Sequence, residues 1–426
     1  MIQTGLLLLV LALLGAPLFA LIASSALLGF RREDVDLSVV AIEIYRLAEM
    51  PALVAIPLFT FAGYVLGESR APDRLVRLTH VLLGGLPGGL AVVSLVTCAL
   101  FTAFTGASGV TIVALGALLY PALLGAGYPE RFSLGLVTTS GSLGLLFAPA
   151  LPLILYGVVA QQVHLAEPVR IDEIFAAGVL PGVLMVVALS AWSLWTCRGA
   201  SEARPRSSWS EARAALRESI WEIPLPFVVL GGIYGGAFAL SEAAAVTALY
   251  VVVVEVGIRR EIRLGKLAAV MRESMVMVGA ILIILGVSLA STNYLIDTEV
   301  PTRMFEFIRA QIDSRLTFLI LLNLFLLALG MMLDIFSALV IIVPIILPVA
   351  VGYGVDPVHL GIIFLANMQL GYITPPVGMN LFIASYRFER PVIEVYRATV
   401  PFFLILLATV LVITYWPALS LALTGR

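Results

Sequence analysis

This 426-residue sequence is poor in charge. Asp, Glu, Lys and Arg make up 12% of it, against ~25% in soluble domains. It holds two cysteines, Cys98 and Cys197, and three histidines. Two cysteines in or beside apolar runs form no disulfide framework. His80, His164 and His359 stand at segment edges without metal-ligand spacing. No P-loop, no His-Glu-x-x-His motif, and no Ser/His/Asp or Cys/His set within an apolar run occurs. The chain therefore reads as a non-enzyme that does not itself consume nucleotide. A net charge of −2 offers no footprint for nucleic acid. The ~10-residue alternating segments of a β-barrel are missing too.

What is present is apolar: 61% of residues are hydrophobic and the mean hydropathy is +1.07. A transmembrane helix needs about 20 predominantly apolar residues. Charge-poor runs of that order recur at Met1–Phe30, Val81–Pro129, Phe132–Val163, Ile174–Cys197, Ser274–Ile296, Leu360–Tyr386 and Ala398–Gly425. The sequence is read as an all-α polytopic membrane protein. The first run has no basic leader and is read as a retained span, with Gly15-Ala16-Pro17 either kinking or breaking it. Ile223–Glu255 is too long for one span, and is split in two by a helix start at Ser241-Glu242, with Ser241 as N-cap. In the longest polar connector, Arg198–Glu222, the second half reads as a surface helix. Asp297–Arg315 is amphipathic and suits the membrane interface.

An internal repeat organises these runs. At a constant offset of 227, Pro121 meets Pro348, Gly125 meets Gly352, Gly127 meets Gly354, Gly144 meets Gly371, and Pro149 meets Pro376. Each copy has an apolar stretch with a soft interruption (Thr105–Gly109; Gly330–Ser337), a Gly turn (Gly127; Gly354), and a span broken in its middle (Gly141–Pro149; Met368–Pro376). We read two re-entrant hairpins and two discontinuous helices. Backbone leaves the helix at membrane depth only where protein buries it or a cavity hydrates it, and paired interruptions point to a transporter's binding site. With Ile223–Glu255 split, four crossings separate the copies and the repeats are inverted. Most of the 25 basic residues, Arg74, Arg131, Arg213, Lys266 and Arg390 among them, then fall on one side, which positive charge marks as cytoplasmic. The C-terminus falls outside.

Broken helices expose N–H groups that favour a carboxylate and carbonyls that favour a cation such as Na⁺. Small oxygen donors cluster at both interruptions: Thr105, Ser108, Thr111, Thr138, Thr139, Ser140 and Ser142, then Ser337, Asn367, Gln369, Thr374 and Asn380. Small residues also serve plain helix packing. Asp334 is the only ionisable residue between Leu316 and Val355, which makes function its default reading. It could be a Na⁺ ligand, a proton carrier, a hydrogen-bond acceptor at the hairpin tip, or merely a cap. Glu242, at a helix start, reads as structural.

With these residues on the page, the chain resembles the large membrane subunit of tripartite ATP-independent periplasmic (TRAP) transporters, the DctM-like family. DPVHLGIIFLANMQLGYITPPVGMNLFIAS (356–385) is near that family's C-terminal signature, and GMMLDIFSALVIIVPIILP (330–348) fits the segment before it. GYPERFSLGLVTTSGSLGLLFAPALPLILYG, IPLFTFAGYVLGES, SEAAAVTALY and GGLPGGLA fit as well. Val110-Thr111 after Ser108-Gly109, and Phe147-Ala148-Pro149 where a proline pair is common, depart from the pattern. The resemblance implies an elevator-type, Na⁺-coupled carrier of organic acids such as C4-dicarboxylates. It also implies a periplasmic substrate-binding protein and a small membrane subunit of about four helices as partners, and a bacterial inner membrane location. By position it puts Na⁺ near Ser108, Gly109, Gly141, Ser142 and Gly144, and near Asp334, Gly371, Thr374 and Pro375. Substrate would lie near Thr105, Ser108, Asp334, Thr374 and Asn380, and no organic cofactor is implied.

The expected organisation is scaffold helices in 1–80, a transport unit in 81–197, a cytoplasmic linker and scaffold helices in 198–315, and a second transport unit in 316–426. A stand-alone Na⁺:organic-anion symporter and a non-transporting membrane scaffold are the competing readings.

Overall fold

The structure is a computed structural model that describes residues 14–83, 89–163, 168–197 and 209–426, together with 8, 10–12 and 165. The glycine-rich segment 84–88, His164, and the first part of the long connector, 198–208, lie outside the described residues. Helices follow one another along the chain: α1 (Leu18–Arg32), α2 (Ser38–Ala48), α3 (Ala55–Glu68), α4 (Ala71–Leu83), α5 (Gly89–Thr105), α6 (Ser108–Gly125), α7 (Glu130–Ser140), α8 (Leu151–Gln162), α9 (Ile171–Thr196) and α10 (Trp209–Glu218). The second half continues with α11 (Pro224–Tyr234), α12 (Leu240–Val252), α13 (Leu264–Asp297), α14 (Val300–Gln311), α15 (Arg315–Met332), α16 (Ile335–Gly352), α17 (Pro357–Gly371), α18 (Met379–Phe388), α19 (Val392–Tyr415) and α20 (Ala418–Leu421). Eight described helices are long and apolar enough to cross a membrane, or nine if the pair bent by 41° at the first break counts as one.

The 227-residue offset reappears in the elements themselves. α6 and α16 start and end at matched positions, and so do the starts of α7 and α17. Gly127 and Gly354 have positive φ, and the Ala148–Pro149 and Pro375–Pro376 peptides are both cis. The interruptions are narrower than the sequence implied. Only Gly106 and Ala107 separate α5 from α6, and only Leu333 and Asp334 separate α15 from α16. The second broken helix holds to Gly371, past the Met368 at which the sequence placed its break.

The split in 223–255 is found, at a turn where Gly236 has φ +69°. The cap differs from expectation: the N-cap of α12 is Ala239, not Ser241. Glu242 sits three residues on and accepts from the Ala239 N–H at 2.8 Å, so its carboxylate finishes the helix start, as its structural reading held. α11 has 11 residues and rises roughly 16 Å, about half the ~30 Å hydrocarbon core. The first apolar run turns at Leu14-Gly15 before α1, with Gly15 at φ +86°, so it breaks there.

One main core takes in Ile56, Phe59, Ala244 and Leu285 alongside Leu115, Leu151 and Leu339. α3, α12 and α13 lie together, with α1 and α2 on α13, around Ala62, Val65, Ala248, Val251 and Val270. The larger core joins both halves of the chain. The second hairpin arm α16 packs on α8, which follows the first break, and the first hairpin arm α6 packs on α18, which follows the second break. Charged groups gather at the two ends of α19. At its start, Glu130 pairs with Arg390 and Arg131 donates to the Arg397 carbonyl at 2.7 Å. Past its end, Arg426 pairs with Glu173 at 2.9 Å and Asp356 at 3.2 Å, and His359 contacts the Thr414 carbonyl at 3.2 Å. α19 has 24 residues, roughly 36 Å of helix. The matched helices α7 and α17 thus begin at opposite ends of it.

Candidate functional site

The two hairpin tips finish their second arms differently. α6 starts behind Ala107, whose side chain offers no acceptor. The first-turn N–H groups at Ser108, Gly109 and Val110 therefore have no side-chain cap, and the positive end of the helix stays open to an anion. α16 starts behind Asp334, whose Oδ1 accepts from the Phe336 and Ser337 N–H groups, both at 3.0 Å. The remaining first-turn N–H, that of Ile335, donates to the Tyr372 hydroxyl at 2.8 Å. This end carries its own negative charge, which disfavours a second anion and leaves Oδ2 as a candidate cation ligand.

Beneath the first tip the polar contacts converge on Thr102. Its Oγ1 lies 2.8 Å from the Cys98 carbonyl, 2.9 Å from the Gly141 carbonyl and 2.7 Å from Thr111 Oγ1. A hydroxyl has one proton to donate and can accept as well, so Thr102 ties both arms of the hairpin to the end of α7. Thr105 is fully buried and its hydroxyl is unpartnered among the described residues. α3 touches this tip directly: a Cβ on Gly63 would lie 2.6 Å from the Phe104 carbonyl oxygen and the Thr105 Cα.

The two helix breaks share a frame. The N–H of Phe147 donates to the Gly144 carbonyl and that of Thr374 to the Gly371 carbonyl, both at 3.0 Å. Gly144 packs on the backbone of Ala99 and Ala103, Gly371 on that of Gly330. A side chain at either would drive helix backbones apart, so both glycines serve close approach. Their surroundings differ. In the first break Ser142 is buried, with its Oγ 3.3 Å from the Thr139 carbonyl, and only Phe147 and Ala148 are half-buried. In the second, Thr374 is half-buried and Pro375, Pro376 and Val377 are exposed. Gly378, at φ +50°, closes that break, donating to the Met331 carbonyl at 3.2 Å.

Asn380 joins the two halves. Its backbone N–H donates to the Tyr372 carbonyl at 3.1 Å, and its Nδ2 reaches the Thr138 carbonyl on α7 at 3.4 Å. Its Oδ1 is buried without a partner among the described residues, as are Thr139 Oγ1 and both amide atoms of Gln369. Orphaned buried polar atoms are uncommon and mark places where a ligand, ion or water belongs. Oxygen-rich, carboxylate-poor surroundings suit a small hard cation at a helix break. Asn367 is already committed, with Nδ2 donating to Asn323 Oδ1 at 2.7 Å.

Ser108 and Gly141 therefore meet beneath the first tip, while Gly109 packs against Ile383 of α18. Asp334, Gly371, Thr374 and Asn380 gather around Tyr372. Pro375 has no N–H and lies exposed. Sequence reading passed over Thr102, Tyr372 and Gly63, and took Gly330 only as the edge of the second interruption. Thr102 hides in an apolar run, and Tyr372 was legible only as part of GYITPP.

A sequence model for the family described as "Tripartite ATP-independent periplasmic transporter, DctM component" matches residues 6–419. The chain belongs to the DctM family. It is 34% identical over 404 residues to the C4-dicarboxylate TRAP transporter large permease protein DctM of Rhodobacter capsulatus, covering 92% of this chain and 91% of that one. It is 33% identical over 376 residues to the isethionate TRAP transporter permease protein DctMQ of Oleidesulfovibrio alaskensis. That match takes in 88% of this chain but 58% of the relative's length. Among solved structures, the YdaH transporter of Alcanivorax borkumensis superposes with a TM-score of 0.63 at 15% identity, over 89% of this chain and 87% of the other. That likeness concerns the fold alone. As a DctM-family member the chain is a multi-pass membrane permease component.

Proposed function

We propose that this chain is the large permease subunit of a Na⁺-coupled TRAP transporter that imports a small organic acid by an elevator mechanism. A periplasmic binding protein delivers the substrate, and a small membrane subunit completes the transporter in the inner membrane. The observation that carries this reading is the unequal finish of the two tips: one open helix start behind Ala107 and one closed by Asp334. The open start suits a substrate carboxylate near Thr105 and Ser108. The Asp334 end, with Thr374 beside it, suits the coupling cation, and Asn380 stands between the two. Na⁺ at the first break would draw on the Gly141 carbonyl and the neighbouring hydroxyls.

The inverted-repeat reading is supported by α7 and α17 starting at opposite ends of α19. The moving unit would comprise 81–197 and 316–426, sliding against the helices of 1–80 and 198–315. The contact between Gly63 and the first tip would then be one of the sliding surfaces. Arg426 sits with Glu173 and Asp356, away from the arginine-rich end, which supports a periplasmic C-terminus.

The test is uptake in proteoliposomes holding this chain and its small partner, under an inward Na⁺ gradient. The panel would include isethionate, C4-dicarboxylates and other organic acids, with and without the binding protein. Uptake that needs both Na⁺ and the binding protein is the expected result. Uptake with Na⁺ alone would favour a stand-alone symporter. No flux from folded, paired protein would favour a scaffold.

A further inference from the structure

The connector helix α10 presents two opposed stripes, an amphipathic pattern at helical spacing. One stripe is held down. Ala215 is buried, and in the residues just past the helix so are Ser219 and Glu222. Polar clamps surround it. Glu218 pairs with Arg77 at 2.6 Å, and its carbonyl accepts from Arg259. The Tyr250 hydroxyl donates to the Trp221 carbonyl at 2.8 Å, and Arg74 pairs with Glu222 at 2.6 Å.

The other stripe, Trp209, Arg213, Leu216 and Arg217, followed by Ile220, lines a cleft of about 880 Å³. Its far wall is Ile223 and Pro224, where the apolar helix α11 begins. Trp209 is 83% exposed. Arg213 and Arg217 are exposed, and neither has an ion pair among the described residues. The apolar path continues along Phe227, which is 73% exposed, and Val228.

We propose that this cleft binds an anionic phospholipid. The phosphate would sit between Arg213 and Arg217, one helical turn apart, whose forked donors match phosphate oxygens. The acyl chains would run along Ile220, Ile223 and Phe227. Trp209 marks the depth of the headgroup layer, where tryptophan collects. Charge complementarity selects an anionic headgroup, and the apolar wall of the cleft selects a lipid over a soluble phosphate. The lipid would brace α10 against α4, the helix that leads into the first hairpin. The proposal stands apart from the transport reading, because it needs neither Na⁺ nor a substrate.

The test is native mass spectrometry of the full-length chain with phosphatidylglycerol, cardiolipin or phosphatidylcholine, alongside thermal melts with inorganic phosphate. Anionic lipid should bind in preference to phosphatidylcholine, and inorganic phosphate should not raise the melting temperature. R213Q/R217Q should weaken anionic-lipid binding on the order of thirtyfold, the combined weight of two interfacial arginines at ~1 kcal/mol each. R213K/R217K should restore much of it, and R272Q, at an exposed arginine elsewhere, should leave it unchanged. Equal binding of phosphatidylcholine, an equal effect of inorganic phosphate, or equal loss in R272Q would overturn the proposal. So would crosslinking of the small membrane subunit to the Trp209 face with exclusion of the lipid.

Discussion

The breaks at Gly141–Ala150 and Tyr372–Gly378 interrupt helices that start at matched positions, and both use a glycine carbonyl three residues back to turn the chain. The first is buried apart from Phe147 and Ala148, whereas Thr374–Val377 reaches the surface. At the tips above them the contrast runs through charge: Ala107 leaves one helix start bare and Asp334 closes the other. The matched positions share a frame, and the residues within it differ: one helix start lacks a side-chain cap and the other is closed by a carboxylate.

The frame itself is the first thing to break. Gly371→Val and Gly144→Val each force a side chain into another helix's backbone, and overpacking of that kind costs about 1–3 kcal/mol or more. Both variants should fall sharply in yield of folded protein by size-exclusion chromatography, and uptake should be lost. If Gly371→Val alone is tolerated, the exposed second break is the more pliant of the two.

A gentler cut falls between α3 and the first tip. Gly63→Ala puts its Cβ 2.6 Å from the first tip's backbone. Uptake should drop about tenfold while the melting temperature moves by a few degrees. A melting loss in proportion to the uptake loss would make Gly63 a packing position rather than a sliding one.

Asn380→Leu removes one hydrogen bond between the halves. It strands the Thr138 carbonyl and should cost about 1–3 kcal/mol, read as a lowered melting temperature. If the amide also serves the substrate, KM should rise in Asn380→Asp, whose Oδ1 is kept, by more than its stability falls.

The smallest expected effects concern the tips. Asp334→Ala deletes a cap worth about 1 kcal/mol. Asp334→Asn keeps the acceptor, so its stability should match the parent, while the dependence of uptake on Na⁺ should weaken if Oδ2 holds the cation. Ala107→Asp makes the first tip resemble the second. It should stabilise by up to about 1 kcal/mol and lower uptake of an anionic substrate. Unchanged uptake in Ala107→Asp would remove the carboxylate from the α6 helix start.

Much of this asymmetry was legible along the chain. Glycine and proline at constant offset pointed to the matched turns and breaks, because these need such residues whatever surrounds them. Asp334 stood out because an isolated charge in an apolar stretch needs a reason. The extent of each interruption was overestimated, since helical propensity and neighbouring packing carry the arms to within two residues of each other at both tips. The cap of α12 fell on Ala239 because Glu242 reaches back to that N–H, a geometry that Ser241 in the sequence does not reveal.

Composition alone settled that the chain is a helical membrane protein, because so little charge and so much apolar surface can be solvated only by lipid. Glycine and proline at a constant offset of 227 marked the positions where matched turns and breaks are found. Only the tertiary structure decided which oxygens meet. Thr102 faces Gly141, Tyr372 serves Ile335, and Asn380 spans the halves, because these contacts join residues far apart in sequence whose distance depends on how closely glycine lets helices approach. Which break is sealed and which is open was decided there too, since burial belongs to the packed neighbours and not to the segment itself.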